Sequence, residues 1–163
     1  MGDCMFPVTL NLSGRAVLVV GGGPVGRRKA AACAAAGGVV TVVDPAEPVA
    51  GPWAWVREAF RAEHLDGAWL AFACVSAEVN ARVVADATGR RVWVLDASAG
   101  ERGGFTLPAV GRAGRIMLAV ATGVPGLSKA LRDRLLSQLT AADAAEADRR
   151  AGERATSLGE RPV

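Results

Sequence analysis

The sequence predicts an α/β fold, a parallel sheet covered by helices and followed by a small β-hairpin and a helix. Three observations predict it. Two β-branched apolar runs flank a glycine-rich turn and a helical stretch, the pattern of a βαβ unit of about thirty residues. Further apolar runs alternate with helix-patterned segments as far as Asp96. Beyond Asp96 the texture changes to a glycine loop, two short β-rich runs and a leucine-spaced helix.

The elements follow in order. "AVLVV" (Ala16–Val20) reads as a strand buried on both faces, because it is continuously apolar and β-branched. "PVGRRKAAACAAAG" reads as a helix with Pro24 in its first turn and Gly37 at its end. "VVTVVD" (Val39–Asp44) is a second buried strand, and a right-handed crossover joins the two. "DPAEPVAGPW" (Asp44–Trp53) is too proline-rich for a normal helix, so the next connection is short and irregular, leading to a short strand in "WAWVREAF". "AWLAFACV" (Ala68–Val75) is a fourth strand. A helix from Ala77 to Thr88 carries Val79, Val83 and Val84 on one face, and "RVWVLD" (Arg91–Asp96) is a fifth strand. The order β-α-β-β-α-β is Rossmann-like. "FTLPAV" and "RIMLAVAT", joined by "GRAG", predict the hairpin, and Leu127, Leu131, Leu135 and Leu139 line one face of the helix after it. The expected organisation is a nucleotide-binding domain over 1–103, a hairpin and helix over 104–140, and a polar helical or disordered tail over 141–163.

Composition narrows the function. With 51% apolar residues the chain can bury a core. Its 19 basic and 16 acidic residues leave +3, too balanced for a nucleic-acid partner but compatible with an anionic small molecule. Cys4, Cys33 and Cys74 are odd in number and widely spaced, which suits buried thiols in a reducing compartment. The first residues carry Phe6 where myristoylation wants Ser or Thr, and they lack a signal-peptide core. No apolar run reaches the ~18 residues that span a bilayer. A cytoplasmic protein is expected, with no membrane partner.

Gly21, Gly23 and Gly26 match G-x-G-x-x-G between a strand and a helix. The first permits the tight turn, the second lets backbone approach a pyrophosphate, and the third allows close helix–strand packing. The helix N-terminus then offers free N–H groups to phosphate. A P-loop shares the Gly21–Gly26 spacing but requires Lys-Ser/Thr where Arg27 and Arg28 stand. A glycine turn alone also fits an α/β protein that binds nothing. Here Asp44 ends the second strand, where an acid can bond both ribose hydroxyls and repel a 2′-phosphate, so NAD is expected over NADP.

"FPVTLNLSGRAVLVVGGGPVGRRKA", "LDGAWLAFACVSAEVNARVVADA", "VWVLD", "FTLPAVGRAGRIMLAVATG" and "LSKALRDRLLSQL" occur in this order and together resemble the precorrin-2 dehydrogenases of siroheme synthesis, some of which are also sirohydrochlorin ferrochelatases. The resemblance runs from Phe6 to Leu139 and includes Arg28-Lys29 and Asn80. It implies NAD-dependent oxidation of precorrin-2 to sirohydrochlorin in a homodimer, with Fe2+ as a further substrate in members that insert metal. It implies that Gly21, Gly22, Gly23, Pro24, Val25 and Gly26 hold the cofactor together with Asp44, Pro45, Cys74 and Val75. It makes Asp96 the general base, and it puts Thr122 and Gly123 beside the substrate. The chain departs from the family pattern at Trp93, at Val75-Ser76, in a longer loop after Asp96 and in a shorter "TGVP" turn.

Precorrin-2 carries eight carboxylates, which makes Arg102, Arg112 and Arg115 around the hairpin candidate contacts, although each also reads as ordinary surface charge. Position alone favours Asp96 as a cap on the following loop, and the resemblance favours the base. His64 reads as a surface loop residue that cannot alone build a metal site, so no resident metal is expected. Cys33 and Cys74 read as core packing, and Trp53, Trp55, Trp69 and Trp93 as packing on the sheet. The hairpin is too apolar for a free edge and is expected to pair with a second subunit. Two alternatives stay open: a non-catalytic NAD-binding regulatory module whose substrate cleft is closed by Trp93 and the short turn, and a dehydrogenase for a smaller substrate.

Overall fold

Strand β1 (Ala16–Val20) lies at the centre of a five-stranded parallel sheet whose order is β3-β2-β1-β4-β5. The computed structural model describes residues 6–99 and 103–159, with side chains through 154; Cys4 and Arg102 lie outside them. The other strands are β2 (Val39–Val43), β3 (Ala54–Val56), β4 (Leu70–Ala73) and β5 (Trp93–Asp96). Helix α1 (Pro24–Ala35) links β1 to β2, and α2 (Ala77–Gly89) links β4 to β5. The chain forms two compact units, Met1–Thr106 and Leu107–Val163.

Alternation along β1 builds the two layers of core in the first unit. Val17 and Val19 face α1 with Ala30, Cys33, Val40, Val42 and Phe72, while Leu18 and Val20 face the other side with Val83, Ala87, Phe60 and Leu65. A residue such as Phe72, 2% exposed, contributes about 2–3 kcal/mol of burial. Ser76 caps α2 by accepting from the Val79 N–H. The β2–β3 connection has no helix, as its prolines predict, and a 3₁₀ turn (Ala62–Leu65) precedes β4.

Several details differ from expectation. Arg91 adopts a left-handed φ of 58° and ends the turn before β5, so that strand starts only at Trp93. Trp93 is 52% exposed at the strand's amino end and does not pack on the sheet, whereas Trp53, Trp55 and Trp69 do pack against the α1-side core. His64 is no surface loop residue. Its ring sits in the 3₁₀ turn, its Nδ1 accepts the Arg61 N–H at 3.0 Å and its Nε2 lies 3.1 Å from Glu58.

In the second unit, β6 (Ala109–Ala113) and β7 (Ile116–Val120) pair antiparallel and are followed by α3 (Pro125–Leu136) and α4 (Ala141–Gly159). The hairpin turns at Gly114-Arg115, where Gly114 supplies a φ of 56°; Gly111 to Ala113, expected in the link, belong to β6. Helix α3 begins at Pro125, two residues earlier than Leu127, because proline is favoured in a first turn. Leu127 and Leu135 are 50% and 41% exposed, so the predicted leucine face is not buried within this unit. Instead Arg132 and Leu136 lie against Gly111, and the Arg132 guanidinium donates to the Val110 carbonyl at 3.2 Å. Among the described residues no helix is long and apolar enough to cross a membrane.

Candidate dinucleotide and proton-transfer site

The strand order reverses between β1 and β4, and the carboxyl ends of β1, β4 and β5 meet there in register. Val20 pairs with Ala73, and Ala73 pairs with Asp96. In an open α/β sheet this switch point is where a ligand crevice opens.

Each glycine of the turn has a distinct role. Gly21 has φ 100°, and a Cβ there would lie 2.5 Å from the Cys74 carbonyl oxygen and 2.8 Å from Val75 Cγ2. A side chain is excluded by both conformation and space, and the turn rests directly on the end of β4. A Cβ on Gly26 would fall 1.8 Å from the Gly21 carbonyl oxygen, which pins the helix to its own turn. A Cβ on Gly23, the residue before the helix, would meet nothing within 4 Å. Gly22 is covered by Trp55, whose indole rim would lie 2.1 Å from a Cβ there.

Helix α1 has no side-chain cap and no acid in its first turn. Pro24 has no N–H to satisfy, and Val25 and Gly26 sit where helical N–H groups lack intrahelical partners. Such a start carries a partial positive charge and is left to an anionic ligand. At the end of β2, Asp44 Oδ2 accepts the Gly22 N–H at 2.6 Å and Oδ1 accepts the Ala46 N–H at 2.8 Å. These bonds use two of about four lone-pair sites on a half-buried carboxylate and leave room for hydroxyl donors. Pro45 follows, exposed, and Trp55 Nε1 donates to the Asp44 carbonyl at 3.2 Å. The open cradle over Gly23, the uncapped helix and this carboxylate fit a dinucleotide.

Asp96 is 1% exposed. Its Oδ1 accepts from Asn80 Nδ2 at 2.8 Å, the Ser98 N–H at 2.8 Å and Ser98 Oγ at 2.6 Å, while Oδ2 is buried with no partner among the described residues. Burial is the largest influence and pushes the carboxyl up, but the bonds from Ser98, Asn80 and Ala99 together outweigh it and hold Asp96 below the usual carboxylate range. Cys74 is half-buried beside this edge, not fully in the core. Burial pushes its thiol up to about 11, against the pull of Lys29, so it stays neutral near pH 7. Lys29 is itself lowered, first by burial and then by the Arg28 guanidinium.

The structure therefore brings Gly21–Gly26, Asp44, Cys74, Val75 and Asp96 to one edge of the first unit. In the second unit, Thr122 Oγ1 bonds Ser128 Oγ at 2.8 Å and the Val124 carbonyl at 3.0 Å, so its side chain is turned toward the start of α3. Gly123 is open, with φ 74°. Arg112 is exposed on the hairpin, and Arg115 lies 3.2 Å from Asp148 of α4. Sequence reasoning assigns no role to Asn80 or Ser98, although a wholly buried asparagine in a first helical turn needs polar partners; nor does it single out Trp55 at the turn. Among the described residues no group of three or more His, Cys, Asp and Glu could hold a metal ion.

Fold and site define a doubly wound dinucleotide-binding protein. The chain belongs to the family whose model, titled "Putative NAD(P)-binding", matches residues 8–109. It is similar to Siroheme synthase 3 of Aeromonas hydrophila, 33% identical over 172 aligned residues that cover 96% of this chain and 37% of that protein. It is similar also to the siroheme synthase of Tolumonas auensis, 36% identical over 139 residues, covering 80% of this chain and 30% of that one. The chain thus spans about a third of the length of these curated relatives. Among solved structures it is similar to "SirC, precorrin-2 dehydrogenase", with a TM-score of 0.70 and 25% identity over 88% of this chain and 76% of that one. These likenesses bear out the resemblance read from the sequence.

Proposed function

We propose that this chain oxidises precorrin-2 to sirohydrochlorin with NAD, and that Asp96 is the proton acceptor. The single observation that carries the reading is the Asp96 carboxylate at the switch-point edge, held by one oxygen with the other unpartnered. The names of the related siroheme synthases and of the SirC structure support the substrate.

In the reaction precorrin-2 loses a hydride and a proton, and NAD+ becomes NADH. The dinucleotide, when bound, supplies the hydride acceptor. The protein's part is orientation and proton transfer. The Val25 and Gly26 N–H groups hold the pyrophosphate, Asp44 holds the ribose hydroxyls and disfavours a 2′-phosphate, and Cys74 and Val75 form the floor beside Gly21. Asp96 Oδ2, buried and with no hydrogen-bond partner among the described residues, takes the proton. Arg112 and Arg115, with the Thr122–Gly123 turn, serve the substrate carboxylates.

The hairpin supports a homodimer. Among the described residues its two strands have unpaired outer edges, and Val110, Met117 and Ala119 make one of its faces exposed and mainly apolar. Free thiols at Cys33 and Cys74 suit a reducing, cytoplasmic compartment. Incubation with precorrin-2 and NAD, followed by NADH absorbance, tests the function. Turnover in the wild type and none in Asp96→Ala, with NAD affinity unchanged, is expected. Intact NAD binding without wild-type turnover would favour the regulatory-module reading, although Trp93, at the amino end of β5, stands at the opposite end of the strand from the crevice.

A further inference from the structure

We propose that Asn80 is a positioning residue: it pins one oxygen of Asp96, leaves the other as the sole proton acceptor, and ties that acid to the end of β4. The proposal rests on the reading of Asp96 as base and deepens it.

Asn80 is fully buried in the first turn of α2, and its side chain bonds three partners, one after β4 and two at and just beyond the end of β5. Its Oδ1 accepts the Val75 N–H at 2.9 Å, and its Nδ2 donates to Asp96 Oδ1 at 2.8 Å and to Ser98 Oγ at 3.3 Å. The orientation of the amide is dictated by these partners, since the carbonyl must face the backbone N–H and the amine must face the carboxylate. A flipped amide would set oxygen against oxygen. The Ser98 hydroxyl gives its proton to Asp96 Oδ1 at 2.6 Å and keeps a lone pair for Asn80, so the three side chains form a closed circuit.

Two consequences follow. The Asn80 amine and both Ser98 donors converge on Oδ1, so negative charge settles there, while Oδ2 is buried with no hydrogen-bond partner among the described residues. The same side chain grips Val75, whose Cγ2 abuts Gly21 of the cofactor turn. The dinucleotide seat and the base are thereby held to each other through one amide. A caps-only role does not account for this arrangement, because Ser76 already caps α2.

The titratable group facing Asp96 from the neighbouring strand is Cys74, which stays neutral at working pH; Lys29 and Arg28 of α1 act on that thiol. On α2 Asn80 is the group that reaches the acid, and on its own side Ser98 and the Ala99 N–H do so. Removing the Asn80 donor therefore acts on the proton affinity of Asp96 directly.

The test has one arm that needs no turnover. In protein labelled with 13C at aspartate carboxyls, the Asp96 signal is assigned by its loss in Asp96→Asn and titrated in the wild type, Asn80→Asp and Ser98→Ala. Asn80→Asp keeps the shape but replaces the donor with an acceptor, so Asp96 is expected to titrate at least about one pH unit higher. Ser98→Ala, which loses the hydroxyl donor and keeps the Ser98 N–H, is expected to shift it in the same direction. An unmoved titration in Asn80→Asp overturns the proposal. In the second arm Asn80→Asp lowers kcat at least about tenfold and moves its acid limb upward, with KM for NAD within about threefold of wild type. A lower melting temperature with an unchanged pH profile would mark Asn80 as merely structural and also overturn it. Absence of wild-type turnover would sink the proposed reaction alone, because the NMR arm still decides the role of Asn80.

Discussion

Gly23→Ala and Gly26→Ala, three residues apart, should fail in opposite ways. At Gly23 the backbone is extended, φ −66° and ψ 179°, and an added methyl meets no atom within 4 Å. Loss of glycine at an N-cap costs up to about 1 kcal/mol, and the reduced freedom of the unfolded chain returns about 0.4–1 kcal/mol. Stability should therefore change by less than about 1 kcal/mol. The methyl occupies the space over the helix start, so NAD affinity should fall at least about tenfold, or 1.4 kcal/mol. At Gly26 the methyl would sit 1.8 Å from the Gly21 carbonyl oxygen, a backbone atom that cannot step aside. Overpacking of this kind costs about 3 kcal/mol, which at about 4 °C per kcal/mol lowers the melting temperature by roughly 12 °C. Calorimetric titration with NAD and thermal unfolding separate the two. A Gly23→Ala protein that melts normally and binds NAD within threefold of wild type would refute a pyrophosphate seat over this residue.

Asp96→Asn should reduce NADH formation at least about a hundredfold, within the range of lost general-base catalysis, and leave the NAD dissociation constant unchanged. Because hydrogen bonding holds the folded Asp96 below the ordinary carboxylate range, its contribution to stability is present above the unfolded value near 4 and disappears as pH falls through the folded value; Asp96→Asn should flatten the acid limb of a melting-temperature profile. Asp44→Ala should weaken NAD and relax discrimination against NADP, measured as the ratio of dissociation constants, and should also cost about 1–2 kcal/mol in urea unfolding because the Gly22 N–H loses its acceptor. Val110→Glu with Met117→Glu, both on the exposed hairpin face, should turn a dimer into a monomer in sedimentation analysis; a wild type that sediments as a monomer would remove the pairing role of the hairpin.

What was legible in the sequence was what local pattern dictates. β1 and α1 fall where their apolar runs and proline predict, and the helix-free link to β3 follows from its prolines. Asp44 and the glycines are readable because dinucleotide seats are built from contiguous chain. The environment of Asp96 is not contiguous. Asn80 lies 16 residues before it on another element, and only the parallel pairing of β4 with β5 brings α2 above the acid. Trp93 misled because an aromatic residue in an apolar run reads as core, whereas an edge strand leaves its amino end open to water. The leucine face of α3 misled in a related way, since spacing reports amphipathicity and not which surface covers it.

The indole of Trp55, resting on Gly22 and bonded to the Asp44 carbonyl, gives the protein an optical handle at its glycine turn. Reduced nicotinamide absorbs light at the wavelengths tryptophan emits, so NADH arriving at this edge would drain that fluorescence by resonance transfer. Occupancy could then be followed in real time on unlabelled protein, with Trp55→Phe as the control that leaves only the emission of Trp53, Trp69 and Trp93.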